Sequence, residues 1–435
     1  MSKLFTQGRG GFNAGADHHH LTRGVEDDIF HGADERGNKP KSSIHYQRHV
    51  RIKPFEIFYA DQDCPASLGT SVSQKLAKTA HLLGACIIKM LVPAIFPNPK
   101  ISSIQSVSWV NGIGCYVFQN ISFKISNQDL FRTDGLQVFN KLELSGELDT
   151  KWGRHVGFFS NPKTLIEESK RDSIRFIPIK TLPFFDGKEK CFPLAAASIH
   201  EISMEYNTRP YHELFVNYGT VNTRGTGLSS LPLQMSTKQP IGESSLKWSL
   251  ITQCTQIHDE EWNRVARGEV EVVIDEWIKV ADFQFSPNKS DQVEEKDVPL
   301  GGPIVAIVIT VSSRRDNMNK LWFKGVDDYG NHYFRAVGLM TGNIYRDDVL
   351  PAEWNSSIIP IQVYKVDPKR TIYVLTNQYD GTSSQHNGFQ NFTNSDKTKL
   401  VFDIPPHDDT IDVRVDAIRK NGFFSENHSI GKFWN

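Results

Sequence analysis

Histidines and carboxylates stand side by side at several places in this chain, and these are the residues with the chemistry of ligands. Asp17-His18-His19-His20 sets three imidazoles beside a carboxylate, a group competent to bind a transition metal. Adjacent residues in an extended arm do not fix a tetrahedral or facial geometry, so a solvated or interface-packed run is expected there and no metal centre. His200-Glu201 and His258-Asp259-Glu260 offer the ligand types of a cupin-like site. Neither contains the His-x-His pair whose rings would converge on one face of a strand, and both are expected to be edge or loop residues. The chain has no Gly-x-Ser-x-Gly elbow and no Gly-rich loop ending in Lys-Ser or Lys-Thr, the usual frames for a nucleophile or a phosphate. No catalytic residue and no cofactor is expected.

Cys64, Cys86, Cys115, Cys191 and Cys254 stand singly, without the Cys-x-x-Cys spacing of a zinc or dithiol site. They read as small buried side chains in a reducing compartment. Arg314-Arg315 and Lys369-Arg370 read as solvated turns, and 49 basic against 50 acidic side chains leave no global field to draw the chain onto nucleic acid. Direct nucleic-acid binding is not expected. Asn120, Asn288, Asn355, Asn391 and Asn427 each head an Asn-x-Ser/Thr triplet. A glycan needs a surface loop, so Asn120, on an expected strand, is a poor acceptor, and the candidate acceptors are Asn355, Asn391 and Asn288.

The elements that carry these residues are mainly strands. A length of 435 residues exceeds what one core organises, so two domains are expected. Hydrophobic residues at 39% and charged residues at 23% are those of a folded protein, and 31 Gly with 21 Pro make it rich in turns. Residues 1 to 40 have almost no hydrophobic period and read as an extended arm. Beyond them the pattern alternates: Ile121, Phe123 and Ile125 against Asn120, Ser122 and Lys124; Ile202, Met204 and Tyr206 against Glu201, Ser203 and Glu205; Ile411, Val413 and Val415 against Asp412, Arg414 and Asp416. Each is a half-buried strand. Ile304 to Val311 is β-branched at every position but Ala306, as a strand buried on both faces would be. Short helices are expected over Ser71 to Leu83 and Asp259 to Ala266. Met1 to Ala16 lacks the apolar run of a secretory signal, and Ile87 to Phe96 falls far short of the roughly 20 residues that cross a bilayer, so a soluble chain is expected.

Read in order, several segments resemble the major capsid proteins of nucleocytoplasmic large DNA viruses, the group of iridovirus and phycodnavirus capsids. Leu83-Gly84-Ala85-Cys86 leading into Ile87 to Pro93 (IIKMLVP) is similar to the family's early turn and strand, without the family's Asp. Val107 to Gly114 (VSWVNGIG), then Val117 to Ile125 and Phe139-Asn140-Lys141-Leu142, is similar to its next block. Phe176 to Phe185 (FIPIKTLPFF), Phe192-Pro193-Leu194-Ala195-Ala196, His200-Glu201, Arg209-Pro210 and Glu213-Leu214 follow with the family's spacing. Trp248 to Ala266 resembles the close of the family's first jelly roll, Gly388 to Asn394 with Leu400-Val401-Phe402 a block of the second, and Val413 to Ala417 its late strand. The family's Gly-rich tail has no counterpart at Ser425 to Asn435.

The resemblance implies two tandem eight-stranded antiparallel jelly rolls with short helices in loops: an arm over 1–40, a first jelly roll over 41–262 and a second over 263–435, with interdomain contact around Ile257 to Arg267. It implies a structural protein and no enzyme, a homotrimer forming a pseudo-hexagonal capsomer of an icosahedral capsid. Partners would be neighbouring capsomers, minor capsid proteins and, through other proteins, an internal membrane. The location would be the virion, after assembly in host cytoplasm. A minor capsid or scaffold protein of the same lineage, and a carbohydrate-binding or metal-dependent jelly-roll protein, are the alternatives.

Overall fold

The computed structural model describes residues 55–432, apart from 65–66, 101–103, 105, 187–190, 195–196, 221–229, 233–239, 244, 258–269, 314–331, 342–343, 369–371, 379–380, 382–387, 393–396 and 427–428. The expected arm over 1–40, the expected boundary at 262–263 and the helix expected over Asp259 to Ala266 lie outside the described residues.

One sandwich is built from β1 (Phe55–Cys64), β2 (Ser71–Lys75), β3 (Leu82–Val92), β4 (Phe118–Ile125), β5 (Gln128–Thr133), β6 (Ser173–Pro178), β7 (Ile202–Thr208) and β8 (Lys247–Ile257). Its sheets run β1-β8-β3-β6 and β2-β7-β4-β5. The first strand therefore pairs with the last, the second with the second-last, and so inward, all antiparallel. That is the wrapping of a long hairpin into a jelly roll. The order then recurs with β9 (Val270–Phe285), β10 (Gln292–Asp297), β11 (Pro303–Ser313), β12 (Ala336–Thr341), β13 (Ile344–Pro351), β14 (Ile372–Thr376), β15 (Thr398–Ile404) and β16 (Ile411–Glu426). The sheets are now β9-β16-β11-β14 and β10-β15-β12-β13, position for position the same.

Alternation is what drives this. Met204 stands opposite Phe123 and Tyr206 opposite Ile121 across β7 and β4, and all four are buried. Around them Phe123 meets Phe185 and Phe192 edge to face at 4.9 and 5.0 Å. The second core is centred on Phe402, which packs against Phe285 and Phe334 at 5.3 and 4.9 Å. β11 is buried on both faces, as its unbroken apolar run requires: Ile307, Ile309 and Val311 enter the second core, while Val305 and Val308 enter a separate cluster behind the sheet.

The helix expected over Ser71 to Leu83 is not formed. The segment is β2, a turn and the start of β3, because Gln74 and Leu76 are buried two apart, a strand's period, and β2 registers against β7 through Ser203 to Asn207. Helices occur instead in the connections. α1 (Ile113–Tyr116) precedes β4, and α2 (Gly135–Leu144), α3 (Lys151–Val156) and α4 (Pro162–Ser169) fill the link from β5 to β6. In the equivalent link from β13 to β14 lies α5, formed by the π-helical turns Trp354–Ile358 and Pro360–Tyr364.

Candidate functional site: the seam between the sandwiches

Most residues singled out by their ligand chemistry do not come together. Asp17-His18-His19-His20, His258-Asp259-Glu260, Arg314-Arg315 and Lys369-Arg370 lie outside the described residues. His200 shares a hydrogen bond with Ser126 at 2.9 Å, and Glu201 pairs with Lys75 at 3.0 Å, both at the surface. Among the described residues no group of three or more His, Cys, Asp or Glu is placed to hold a metal ion, and no described helix is long and apolar enough to cross a membrane. Four cysteines are buried and Cys191 is half-buried; burial pushes the Cys64 and Cys191 thiols up to about 11, so neither is a thiolate at neutral pH.

The candidate acceptors differ in exposure. Asn391 is exposed. Asn288 is buried in an antiparallel bridge to His407, its Oδ1 accepting from the His407 N–H at 3.1 Å. Asn355 is not on the surface loop expected for it: it is 1% exposed on the inner side of α5, and its Nδ2 donates to the Val337 carbonyl at 3.0 Å.

The densest polar chemistry lies where the sandwiches meet. It starts from the cap of α2: Asp134 accepts from the N–H groups of Leu136 and Gln137 at 2.9 and 3.0 Å, and Gln137 accepts back from the Asp134 N–H at 3.3 Å. Gly135 is required next, since a Cβ there would stand 1.8 Å from the Cys115 carbonyl of α1. So anchored, α2 turns Gln137 and Asn140, neighbours on one helix face, onto the outer side of β9-β16-β11-β14. Gln137 Nε2 donates to Asp416 Oδ1 at 2.9 Å, and Asn140 Nδ2 donates to Thr310 Oγ1 at 3.1 Å.

Arg414 completes the group. Its Nε and Nη2 donate to the two oxygens of Asp416 at 3.0 and 2.8 Å, a bidentate pair, and Nη2 also donates to Asp134. Asp416 is 0% exposed. Burial raises its carboxyl above the usual carboxylate range, and Arg414 offsets only part of that. Burial likewise opposes the charge on Arg414, but Asp416 and Asp134 outweigh it and hold the guanidinium above its usual range. At its far end α2 places Leu144 in the cluster with Trp277, Val305, Val308 and Ile418.

A second join comes from the long strands. β9 and β16 have 16 residues each, roughly 50 Å at the rise of a strand. Their register slips between Lys279 and Ala281, a bulge that re-aims the strands. On one side of it Phe285, Val413 and Val415 fill the second core; on the other Val272, Ile274 and Phe423 join the first. The Phe423 ring meets Phe184 at 5.0 Å and Phe192 at 5.8 Å. Close to the slip, Glu276 is buried. Its Oε2 accepts from Arg419 Nη2 at 2.6 Å and Asn421 Nδ2 at 2.8 Å, and its Oε1 from Lys432 Nζ at 2.5 Å.

Burial alone would raise the Glu276 carboxyl, but Lys432 and the hydrogen bonds outweigh it and hold it below the usual range. The folded value lies below the unfolded one of about 4.3, so the stabilisation is complete above that pH and lost as pH falls through the folded value. Glu276→Gln should therefore cost about 2 kcal/mol at pH 7, as for a hydrogen bond to a charged group. The difference from wild type should shrink below about pH 4. Urea midpoints from pH 7 to 3 test this, and a difference independent of pH contradicts it.

Of the residues of this seam, the sequence marked Arg414 and Asp416 only as the polar side of a strand and Asn140 only within a family-like block, and Gln137 and Glu276 not at all. The contact expected around Ile257 to Arg267 falls almost wholly outside the described residues. One signal was readable: Asp134-x-x-Gln137 ahead of an apolar run is a capping box.

No family model matches the chain, and no curated protein matches it in sequence. Solved structures do match in fold. The chain is similar to the PBCV-1 virus capsid protein, with a TM-score of 0.69 and 12% identity, over 89% of this chain and 98% of that one. It is similar to the Faustovirus major capsid protein, with a TM-score of 0.63 and 10% identity, over 94% and 100%. A cryo-EM structure of the Sputnik virophage matches at a TM-score of 0.53 and 8% identity, over 87% and 88%. What the chain shares with these viral proteins is its fold, two jelly rolls in tandem.

Proposed function

We propose that this chain is a capsid protein, the major capsid protein of an icosahedral large DNA virus, which works by assembly and performs no catalysis. The observation that carries the reading is the repeat of one strand order in two sandwiches, locked together by α2 and by strands common to both cores. Two like barrels joined in one chain allow three copies to set six barrels around a ring, a pseudo-hexagonal tile. The likeness in fold to the PBCV-1 and Faustovirus capsid proteins supports it. Its partners are then further copies of itself and minor capsid proteins; contact with an internal membrane runs through other proteins, and the chain does not itself bind the genome. Among the described acceptors, Asn391 is the one best exposed for a surface glycan.

The test is size-exclusion chromatography with light scattering at micromolar protomer, and electron microscopy of the product. Trimers with a hexagonal outline are expected; a monomer alone at that concentration counts against the reading. A minor capsid protein of the same lineage is the second reading, favoured by the polar sequence of residues 1 to 40, which departs from the family's usual pattern. Copy number in purified particles separates the two.

A further inference from the structure

The two sandwiches have equivalent sheets, and among the described residues one of these has its outer side covered by a helix of the other sandwich. The outer side of β9-β16-β11-β14 lies under α2, which comes from the β5 to β6 link of the first sandwich. The equivalent sheet of the first sandwich, β1-β8-β3-β6, turns an apolar stripe outward. Ile57 and Tyr59 project from its edge strand, with Tyr59 65% exposed. Leu91 and Ile174 form an exposed cross-strand pair, and the half-buried pair Ile87 and Ile251 lies near them on the same side. Among the described helices α3 reaches the sheet's other edge strand, β6, where His155 meets Phe176 at 5.4 Å, and Leu91 and Ile174 beside it remain exposed.

An unused helix matches it. α5 occupies in the second sandwich the link that holds α2 in the first. Its inner side, Val363 and Tyr364, packs with Ile372 and Val374 of its own sandwich. Its outer side presents Trp354, Ile358 and Ile361, spaced four and three apart and all exposed. Exposed apolar side chains grouped on one helix face mark a contact surface. Each chain thus carries, among the described residues, one contact between a helix of one sandwich and the outer sheet of the other, and the two halves of a second that its own fold leaves apart.

We infer that α5 of one copy docks on β1-β8-β3-β6 of the next copy, repeating between chains the contact that α2 makes within one. The occupant of the stripe is a second copy of this chain, and the inference rests on the capsomer reading. A contact joining different surfaces of two copies is head-to-tail and yields a closed ring when the rotation closes. In the ring every barrel would cover the outer sheet of its neighbour, alternately within and between chains. The charges in the stripe do not forbid this: Lys89 and Asp61 already pair at 2.9 Å, and Lys247, opposite Leu91, is exposed on a long stem that can keep its ammonium in water.

Leu91→Asp spoils the sheet half and Ile361→Asp the helix half. Each variant alone, in the full chain, should run as a monomer in light scattering where wild type is a trimer, with an unchanged circular dichroism spectrum. Mixed in equal amounts they should form a heterodimer and no trimer: the intact helix of one meets the intact sheet of the other, and the reverse contact carries both lesions. Leu91→Asp mixed with Tyr59→Lys, two lesions of the same half, should stay monomeric. Tyr59→Lys, at a site open to solvent, also stands in for Leu91→Asp if that chain fails to fold. Trimeric variants beside a trimeric wild type would overturn this inference and leave the capsomer reading standing, as would a mixture with no heterodimer. A monomeric wild type would overturn the capsomer reading and this inference with it.

Discussion

Replacing Phe423 by Ala is expected to lower the unfolding free energy by about 3–5 kcal/mol, the usual cost of a large aromatic lost from a core. It is also expected to divide one cooperative transition into two. Phe423 belongs to β16, a strand of the second sandwich, yet its ring is buried among Phe131, Phe184 and Phe192 of the first. Truncation leaves a cavity in one core by shortening a strand side chain of the other, so it strikes the coupling between them as well as the packing. Phe402→Ala is the control. Its ring lies wholly in the second core, and its loss should cost a similar amount without separating the transitions. Scanning calorimetry and urea titration at one fixed protomer concentration read both effects, since association shifts apparent stability. A Phe423→Ala chain that still melts in one step with a cost below about 1 kcal/mol would refute the shared core.

The strands were legible because their signal is local. Ile121, Phe123 and Ile125 alternate with polar neighbours and are buried as the alternation requires, and the unbroken run of Ile304 to Val311 lies between two apolar clusters. Ser71 to Leu83 misled because its spacing admits a short helix, and only pairing with β7 fixes it as strand and turn. The seam was illegible for a different reason. In Ile411 to Asp416 the alternation sends Asp412, Arg414 and Asp416 away from the core, and nothing nearby in sequence says that this outer side is covered. The cover comes from Gln137, 279 positions away. Asn355 failed in the same way: its triplet reads as surface, but α5 turns that side inward. Fold class follows from local periodicity, whereas a helix from one sandwich lying on the sheet of another is a long-range fact with no local pattern.

The pair formed by Arg414 and Asp416 gives a test of that long-range fact. Asp416 is fully buried and receives Gln137 from the first sandwich as well as both Arg414 donors. Removing one partner of such a pair leaves an uncompensated buried charge, a cost of about 3–5 kcal/mol, while replacing both by apolar residues of similar volume is often nearly neutral. Arg414→Met and Asp416→Leu should each be strongly destabilising, and the double variant much less so than their sum. The pH dependence of Arg414→Met identifies the cause. Without the guanidinium, burial is left to raise the Asp416 carboxyl further above its unfolded value of about 3.9. A carboxyl raised in the folded state is most favourable below the unfolded value and loses that advantage as pH climbs through the folded one. Arg414→Met should therefore recover stability relative to wild type as pH falls from 7 toward 5, whereas a deficit due to lost packing would not change. Urea midpoints of both chains at each pH decide between them, and a constant deficit would mean that Asp416 is not the charge left stranded beneath α2.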